Sequence, residues 1–69
     1  MSKIQYSLEI VNKDPVLFDR YDQAEKDLER ICPDTIICPA DPKIYPKDYK
    51  SIILAHGTFY GVIKVKEIE

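Results

Sequence analysis

The sequence predicts a small single domain, residues 1–69, of the α+β class: an antiparallel sheet of three to five strands with one helix packed on one face. Two patterns predict this fold class. Apolar and polar residues alternate near both ends of the chain, as they do in half-buried strands, and between these segments apolar residues recur at helical spacing. A chain of 69 residues that is 45% hydrophobic and 32% charged has the length and composition of one globular domain.

The N-terminal segment predicts the first strand. Residues 3–11 alternate strictly between apolar and polar side chains, so one face of this strand is expected to be buried. The apolar face carries Ile4, Tyr6, Leu8 and Ile10. Asn12 and Pro15 favour a turn, after which Val16–Phe18 allows two structures. It forms either a second strand paired with the first, or the opening turn of a helix that Asp14 caps.

The helix is expected over residues 20–31. Its apolar side chains recur at spacings of three and four, which places them in one stripe. The stripe consists of Tyr21, Ala24, Leu28 and Ile31. We expect Asp19 to cap the N-terminus, with Asp22 three residues later as a weak form of the capping box. Pro33 is expected to end the helix because it disfavours the α region for Cys32.

The second half of the chain predicts a long loop between strands. Residues 35–38 are mostly β-branched and indicate a short strand bounded by prolines. Residues 39–50 hold three prolines and several charges, which oppose both a helix and a central strand. A loop of about a dozen residues is uncommon in so small a domain and is often functional. Residues 51–66 then predict a hairpin that turns at His56 and Gly57, since both tolerate a positive φ.

The expected register of this hairpin sets Leu54 opposite Phe59 and Ile52 opposite Gly61. On the same apolar face it places Ile63 and Val65. The second face of the sheet would carry Val11, Ile53, Tyr60 and Val62, and is more apolar than a sheet surface that faces water. We expect the 39–50 loop, a second copy of the chain or a partner to cover that face.

No set of residues predicts catalysis, a cofactor or a metal site. His56 is the one candidate general base, and no glycine-rich phosphate loop accompanies it. Cys32 and Cys38 are separated by five residues, whereas zinc sites need four ligands and commonly use closer cysteine pairs. The N-terminal residues contain no apolar signal segment, so we expect a cytoplasmic protein with two free thiols that is not an enzyme. A Cys/His metal site is retained as an alternative.

Two surfaces are candidates for binding a partner. The first lies in the 39–50 loop, where prolines stiffen the backbone and tyrosines supply contact area at a low entropic cost. Its candidate residues are Tyr45, Lys47, Tyr49 and Lys50. The second is acidic, because residues 14–34 carry seven acidic and three basic side chains, a net charge of −4. Its candidate residues are Asp19, Asp22, Glu25 and Glu29.

These features predict a non-enzymatic protein-binding module, a small modulator or inhibitor of a larger cytoplasmic protein. In size and charge the chain resembles the small accessory proteins with which phages bind and inhibit host enzymes, a resemblance that no motif carries. Three other functions stay open: an acidic helix that mimics DNA and blocks a DNA-binding protein, a Lys/Tyr loop that binds single-stranded nucleic acid, and a structural homodimer. The pI of about 5.3 argues against nucleic acid as the partner. The longest apolar run, residues 52–55, is too short to span a membrane.

Overall fold

A computed structural model of the chain describes residues 3–68 and confirms a small α+β fold. It contains one helix and one five-stranded sheet in which every strand pairs antiparallel with its neighbours. In chain order the elements are β1 (Lys3–Ile10), β2 (Val16–Phe18), α1 (Tyr21–Ile31), β3 (Thr35–Pro39), β4 (Tyr49–Ala55) and β5 (Thr58–Ile68). The strand order across the sheet is β2-β1-β5-β4-β3, so β2 and β3 form its edges. Among residues 3–68, no helix is both long enough and apolar enough to cross a lipid bilayer.

Strand β1 forms where the sequence predicts, with Leu8 and Ile10 of its apolar face buried. The expectation that only this face is buried is wrong in part, since Ile4 is exposed and Ser7 of the polar face is buried.

The segment left open after β1 is a strand. Val16–Phe18 pairs with β1, with Val16 opposite Leu8 and Phe18 opposite Tyr6. The other side of β1 pairs with β5 along its whole length. Pairing with β1 favours the strand over the helix for Val16–Phe18. As a strand this segment gains a hydrogen-bonding partner that the first turn of a helix would lack.

Helix α1 covers the expected residues, but its predicted N-cap is wrong. Arg20 occupies the cap position with an extended backbone, and no side chain bonds to the first turn. The Asp19 carboxylate instead accepts a hydrogen bond of 3.0 Å from the Gln5 side-chain amide and lies 3.6 Å from the Lys3 ammonium. These contacts on β1 compete with capping for the same oxygens. At the other end Cys32 is extended and donates its N–H to the Leu28 carbonyl, as expected before Pro33.

The buried core joins residues of the helix to residues of the sheet. It consists of Leu8, Ile10, Ala24, Leu28, Ile53 and Ile63. Tyr21 extends it in two ways. Its ring meets the Tyr6 ring edge to face at 5.5 Å between centroids, and its hydroxyl shares a hydrogen bond with the buried Ser51 hydroxyl. The predicted helix stripe is therefore the part of α1 that contributes to the core.

The hairpin of β4 and β5 turns where the sequence predicts. Ala55 pairs with Thr58, so the loop has two residues, and both have a positive φ: 52° at His56 and 76° at Gly57. This left-handed pair is the turn whose twist matches that of the flanking strands. Glycine adopts such a backbone at no steric cost, and histidine is one of the residues that tolerate it.

The register beyond the second pair departs from the prediction. Leu54 lies opposite Phe59 as expected, but Gly61 lies opposite Ile53 rather than Ile52. The irregularity at this point leaves Tyr60 as an extra residue in β5, which is the arrangement of a β-bulge. A one-residue shift exchanges the two faces of a strand.

The bulge corrects the predicted composition of the two faces. Ile53, expected on the second face, pairs with Gly61 and belongs to the buried core with Ile63. Ile52, expected beside Ile63, pairs instead with Val62 on the other face. Both faces of the hairpin carry buried apolar residues, so alternation alone did not reveal the inserted residue.

Candidate functional site

The two tyrosines of the candidate loop stack on one another. The ring centroids of Tyr45 and Tyr49 are 5.8 Å apart with 17° between the planes, and both side chains are half-buried. Tyr49 begins β4 opposite Lys64, whose ammonium lies 5.1 Å from the centre of the Tyr49 ring. A cation at this distance from an aromatic face is attracted by it. The two rings are thus held within the fold.

A polar cluster continues from this stack across the sheet. The Lys64 ammonium lies 3.2 Å from one carboxylate oxygen of Glu9. The other oxygen of that carboxylate accepts a hydrogen bond from the buried Ser7 hydroxyl. The hydrogen bond to Glu9 raises the pKa of Lys64, against a weaker opposing effect of burial. Lys64 lies opposite Ser7 of β1 and opposite Tyr49 of β4. The three side chains therefore share one face of the sheet. Tyr45 adds its ring to this cluster by stacking on Tyr49.

Backbone hydrogen bonds fix the loop at both ends. The Asp41 side chain accepts the Lys43 N–H, and its carbonyl accepts the N–H groups of Ile44 and Tyr45. At the far end the Asp48 carbonyl accepts an N–H from β5 at 2.7 Å. Of the four candidate residues in this segment, Lys47 and Lys50 are the exposed ones, and the two tyrosines are built into the internal stack.

The four acidic candidates have different surroundings. Asp19 is held by Gln5 and Lys3, and the hydrogen bond from Gln5 and then the charge of Lys3 lower the pKa of its carboxyl. Asp22 lies 3.2 Å from the Arg20 guanidinium. Glu25 and Glu29 are exposed, one helical turn apart, and form no ion pair with any residue between positions 3 and 68.

Glu25 and Glu29 border a groove between α1 and β3, named here the α1–β3 groove. The helix contacts β1 and β2, and a space remains between α1 and β3. Two adjoining cavities, of about 260 and 370 Å³, occupy this space. The first is lined by Glu25, Leu28, Glu29, Pro33, Thr35 and Ile37. The second is lined by Tyr21, Glu25, Ile37, Pro39, Lys50 and Ser51.

The groove thus brings together residues from both predicted surfaces, namely Glu25 and Glu29 of the acidic set and Lys50 of the loop set. The other five candidates, Asp19, Asp22, Tyr45, Lys47 and Tyr49, do not line it. Sequence reasoning missed Thr35 and Ile37, which form the sheet side of the groove. The available signal was a strand without any charged residue, flanked by Pro33 and Pro39.

The outer edge of β3 carries backbone groups without a strand partner, because in the described residues β3 pairs with β4 alone. Just past the strand, the Ala40 N–H donates to the Lys50 carbonyl of β4. Hydrogen bonding alternates along an antiparallel strand, so Thr35 and Ile37 direct their N–H and C=O groups away from β4. Pro39 follows in the same outward set, where its missing N–H costs the sheet no bond.

An apolar row crosses the sheet on the face turned away from the buried core. Ile36, Leu54 and Phe59 are direct cross-strand partners on β3, β4 and β5. Ile36 is 63% exposed and Phe59 is 50% exposed. The apolar surface therefore reaches the free edge of the sheet at Ile36.

The cysteines and the histidine lie in separate places. Cys32 follows the helix and Cys38 lies in β3, both as half-buried free thiols. His56 is exposed at the tip of the hairpin. Within the range 3–68, no three His, Cys, Asp or Glu side chains are grouped so that they could hold a metal ion.

Comparison of the chain with protein-family models, with curated proteins and with solved structures found no match of any of the three kinds.

Proposed function

We propose that this chain is a non-enzymatic protein-binding module, a small modulator or inhibitor of a larger cytoplasmic protein. In this proposal α1 covers one face of the sheet and serves as one wall of the binding site, with β3 as the other. The observation that supports it best is the outer edge of β3, whose backbone groups at Thr35 and Ile37 lack a strand partner beside the α1–β3 groove.

An edge of this kind is unusual in a stable monomer. Sheet edges are commonly protected by charged side chains, by bulges or by a covering segment. The five residues of β3 include no charge, and the only protective residue in the strand is Pro39 at its end. Strand addition at an open edge is a recurrent way to bind an extended segment of another protein.

The state of the loop tyrosines also favours a protein partner over single-stranded nucleic acid. Nucleic-acid binders of that class stack bases on free aromatic faces. In this chain the rings of Tyr45 and Tyr49 stack on each other, and Lys64 lies over the second ring. A base would have to displace contacts that the fold already makes.

The proposal is tested by affinity capture with the immobilised chain from extracts of the cells that make it, followed by crosslinking and mass spectrometry. We expect the wild type to capture a saturable partner whose crosslinks map to α1 and β3. Reversing the groove charges in Glu25→Lys or Glu29→Lys should abolish capture. The matched control is Asp22→Lys, which makes the same change of charge on the same helix outside the groove.

The outcomes separate the remaining functions. Equal losses in all three variants would mean that the acidic helix acts by its overall field, as a DNA mimic does, and would contradict a groove-based module. Loss of capture in Lys47→Glu alone, which changes an exposed loop residue outside the groove, would move the site to the loop. The absence of any saturable partner would reject the proposed function.

A further inference from the structure

We infer that the α1–β3 groove takes an extended peptide segment that adds a sixth strand beside β3 and carries Lys or Arg on alternate residues. This inference rests on the proposed function and specifies the chemistry of the partner at the same site.

The backbone of β3 sets the length of the contact. Its outer edge offers the N–H and C=O groups of Thr35 and Ile37 and then only the C=O of Pro39. A strand added about 4.8 Å from β3 would use these groups in a regular ladder. The ladder ends at Pro39, which has no N–H to donate, so the bound segment pairs over about five residues.

The charges of the groove set which side chains fit. Residues of the added strand that lie opposite Thr35 and Ile37 share their face, and that face opens toward Glu25 and Glu29. Both carboxylates are exposed and without an ion pair in the described part of the chain. Two basic side chains separated by one residue therefore meet two acceptors.

The negative charge of the groove weakens toward Pro39. Its second cavity, next to Pro39, is lined by Lys50 as well as by Glu25. A basic residue at that end would face a like charge, whereas a neutral or acidic one would not. The basic residues are thus confined to the positions opposite Thr35 and Ile37, which gives the segment a defined register.

The intervening residue of the segment faces the other side of the sheet. There it lies next to Ile36, which is 63% exposed at the end of the apolar row with Leu54 and Phe59. An apolar side chain at this position would bury part of that surface. The complete recognition pattern is therefore basic, apolar, basic, in an extended backbone.

The probe for this inference is a fluorescein-labelled, C-terminally amidated peptide of sequence Lys-Val-Lys-Val-Ser, compared with Glu-Val-Glu-Val-Ser. Binding is followed by fluorescence anisotropy, and amide hydrogen exchange is followed by NMR. We expect the lysine peptide to bind and the glutamate peptide not to bind. The affinity of the lysine peptide should fall as salt is added. Exchange of the Thr35 and Ile37 amides should slow on binding, while that of the Gly57 amide at the hairpin tip should not change.

Two sets of variants test the walls of the groove. Glu25→Gln combined with Glu29→Gln should weaken binding about tenfold, since it removes two partly exposed ion pairs, while Asp22→Asn should leave the affinity unchanged. Thr35→Pro removes one outward N–H and should weaken binding more than Thr35→Ala, which keeps that donor. Circular dichroism verifies that each variant is folded.

Equal binding of the two peptides, or unchanged exchange at Thr35 and Ile37 in the complex, would overturn the inference. If a cellular partner is captured but the glutamine double variant binds it with undiminished affinity, this inference fails and the proposed function stands. If the lysine peptide binds as expected but no cellular partner is captured, the groove chemistry stands and the proposed function fails.

Discussion

Tyr45 and Tyr49 are four residues apart in the chain and stack nearly parallel, with 5.8 Å between their ring centroids. The stack connects the loop to the first residue of β4 and, through Lys64, to β5. These residues were predicted to contact a partner, yet the geometry gives them a role in holding the loop against the sheet.

The first prediction concerns this stack. Tyr45→Ala should lower the free energy of unfolding by about 1–2 kcal/mol, because it removes both the aromatic pair and the buried area of the ring. Tyr45→Phe keeps the ring and should change stability by less than half as much. Urea denaturation measures both. An alanine variant as stable as the wild type would show that the stack does not stabilise the fold.

The second prediction concerns the close approach of β5 to β1. A Cβ atom on Gly61 would lie 2.5 Å from the Glu9 carbonyl oxygen and 3.1 Å from the Ile10 Cα, and both of these atoms belong to the backbone. Gly61→Ala should therefore destabilise the protein by about 1–3 kcal/mol, as overpacking of a rigid site does. Thermal and chemical unfolding measure the loss, and amide exchange in β1 should accelerate.

Gly57 provides the contrasting case. A Cβ atom there would meet nothing within 4 Å, but its φ of 76° is left-handed. Gly57→Ala should cost about 1 kcal/mol through backbone strain alone, with no change in the pairing of β1 and β5. If the two alanine variants perturb β1 equally, the steric explanation for Gly61 is wrong.

The third prediction uses the other turn residue. His56 has a φ of 52°, a conformation that asparagine adopts more readily and a β-branched residue avoids. His56→Asn should raise the free energy of unfolding by a few tenths of a kcal/mol, about 0.5, because Asn-Gly is the preferred pair in this turn. His56→Val should lower it by about 1–2 kcal/mol. The opposite order of melting temperatures would refute this account of the turn.

The fourth prediction is a pH dependence. The hydrogen bond from Gln5 and the charge of Lys3 hold the pKa of Asp19 below its ordinary value of 3.8. A carboxyl whose pKa is lower in the folded state contributes stability above its unfolded pKa and loses that contribution as the pH falls through the folded pKa. Stability should thus decrease below about pH 4, and Asp19→Asn should flatten that part of the profile.

Gln5→Ala serves as the control for Asp19. It leaves the carboxyl in place and removes the hydrogen bond that lowers its pKa most. The midpoint of the Asp19 titration, followed by NMR, should therefore rise toward 3.8 in this variant. A midpoint unaffected by Gln5→Ala would mean that the bond does not form in solution.

Local patterns predicted most of the elements, whereas the irregularities in the pairing of β4 with β5 were not predicted. The alternation in β1, the helix stripe and the His56-Gly57 turn are encoded within short windows of sequence. The bulge at Tyr60 is not, because apolar residues on both sides of it satisfy either register. Its effect was to exchange Ile52 and Ile53 between the two faces of the sheet.

The groove could be predicted only in part, because it depends on pairing between distant segments. Glu25 and Glu29 were recognisable as exposed acids from helical spacing. That Thr35 and Ile37 stand beside them follows from the position of β3 at the edge of the sheet, and strand order is a property of the whole chain. Likewise, nothing local to Tyr45 indicates that its ring stacks on Tyr49.

The position of Pro39 bears on how concentrated solutions of this protein should behave. If two molecules paired edge to edge at β3, they would use the same backbone groups that bind a peptide. Self-association would therefore compete with peptide binding, and more strongly at high protein concentration. Proline has no N–H to donate and shortens that mutual ladder at each of its ends, which weakens self-pairing. Titrations run at low protein concentration should accordingly give the tighter apparent dissociation constant.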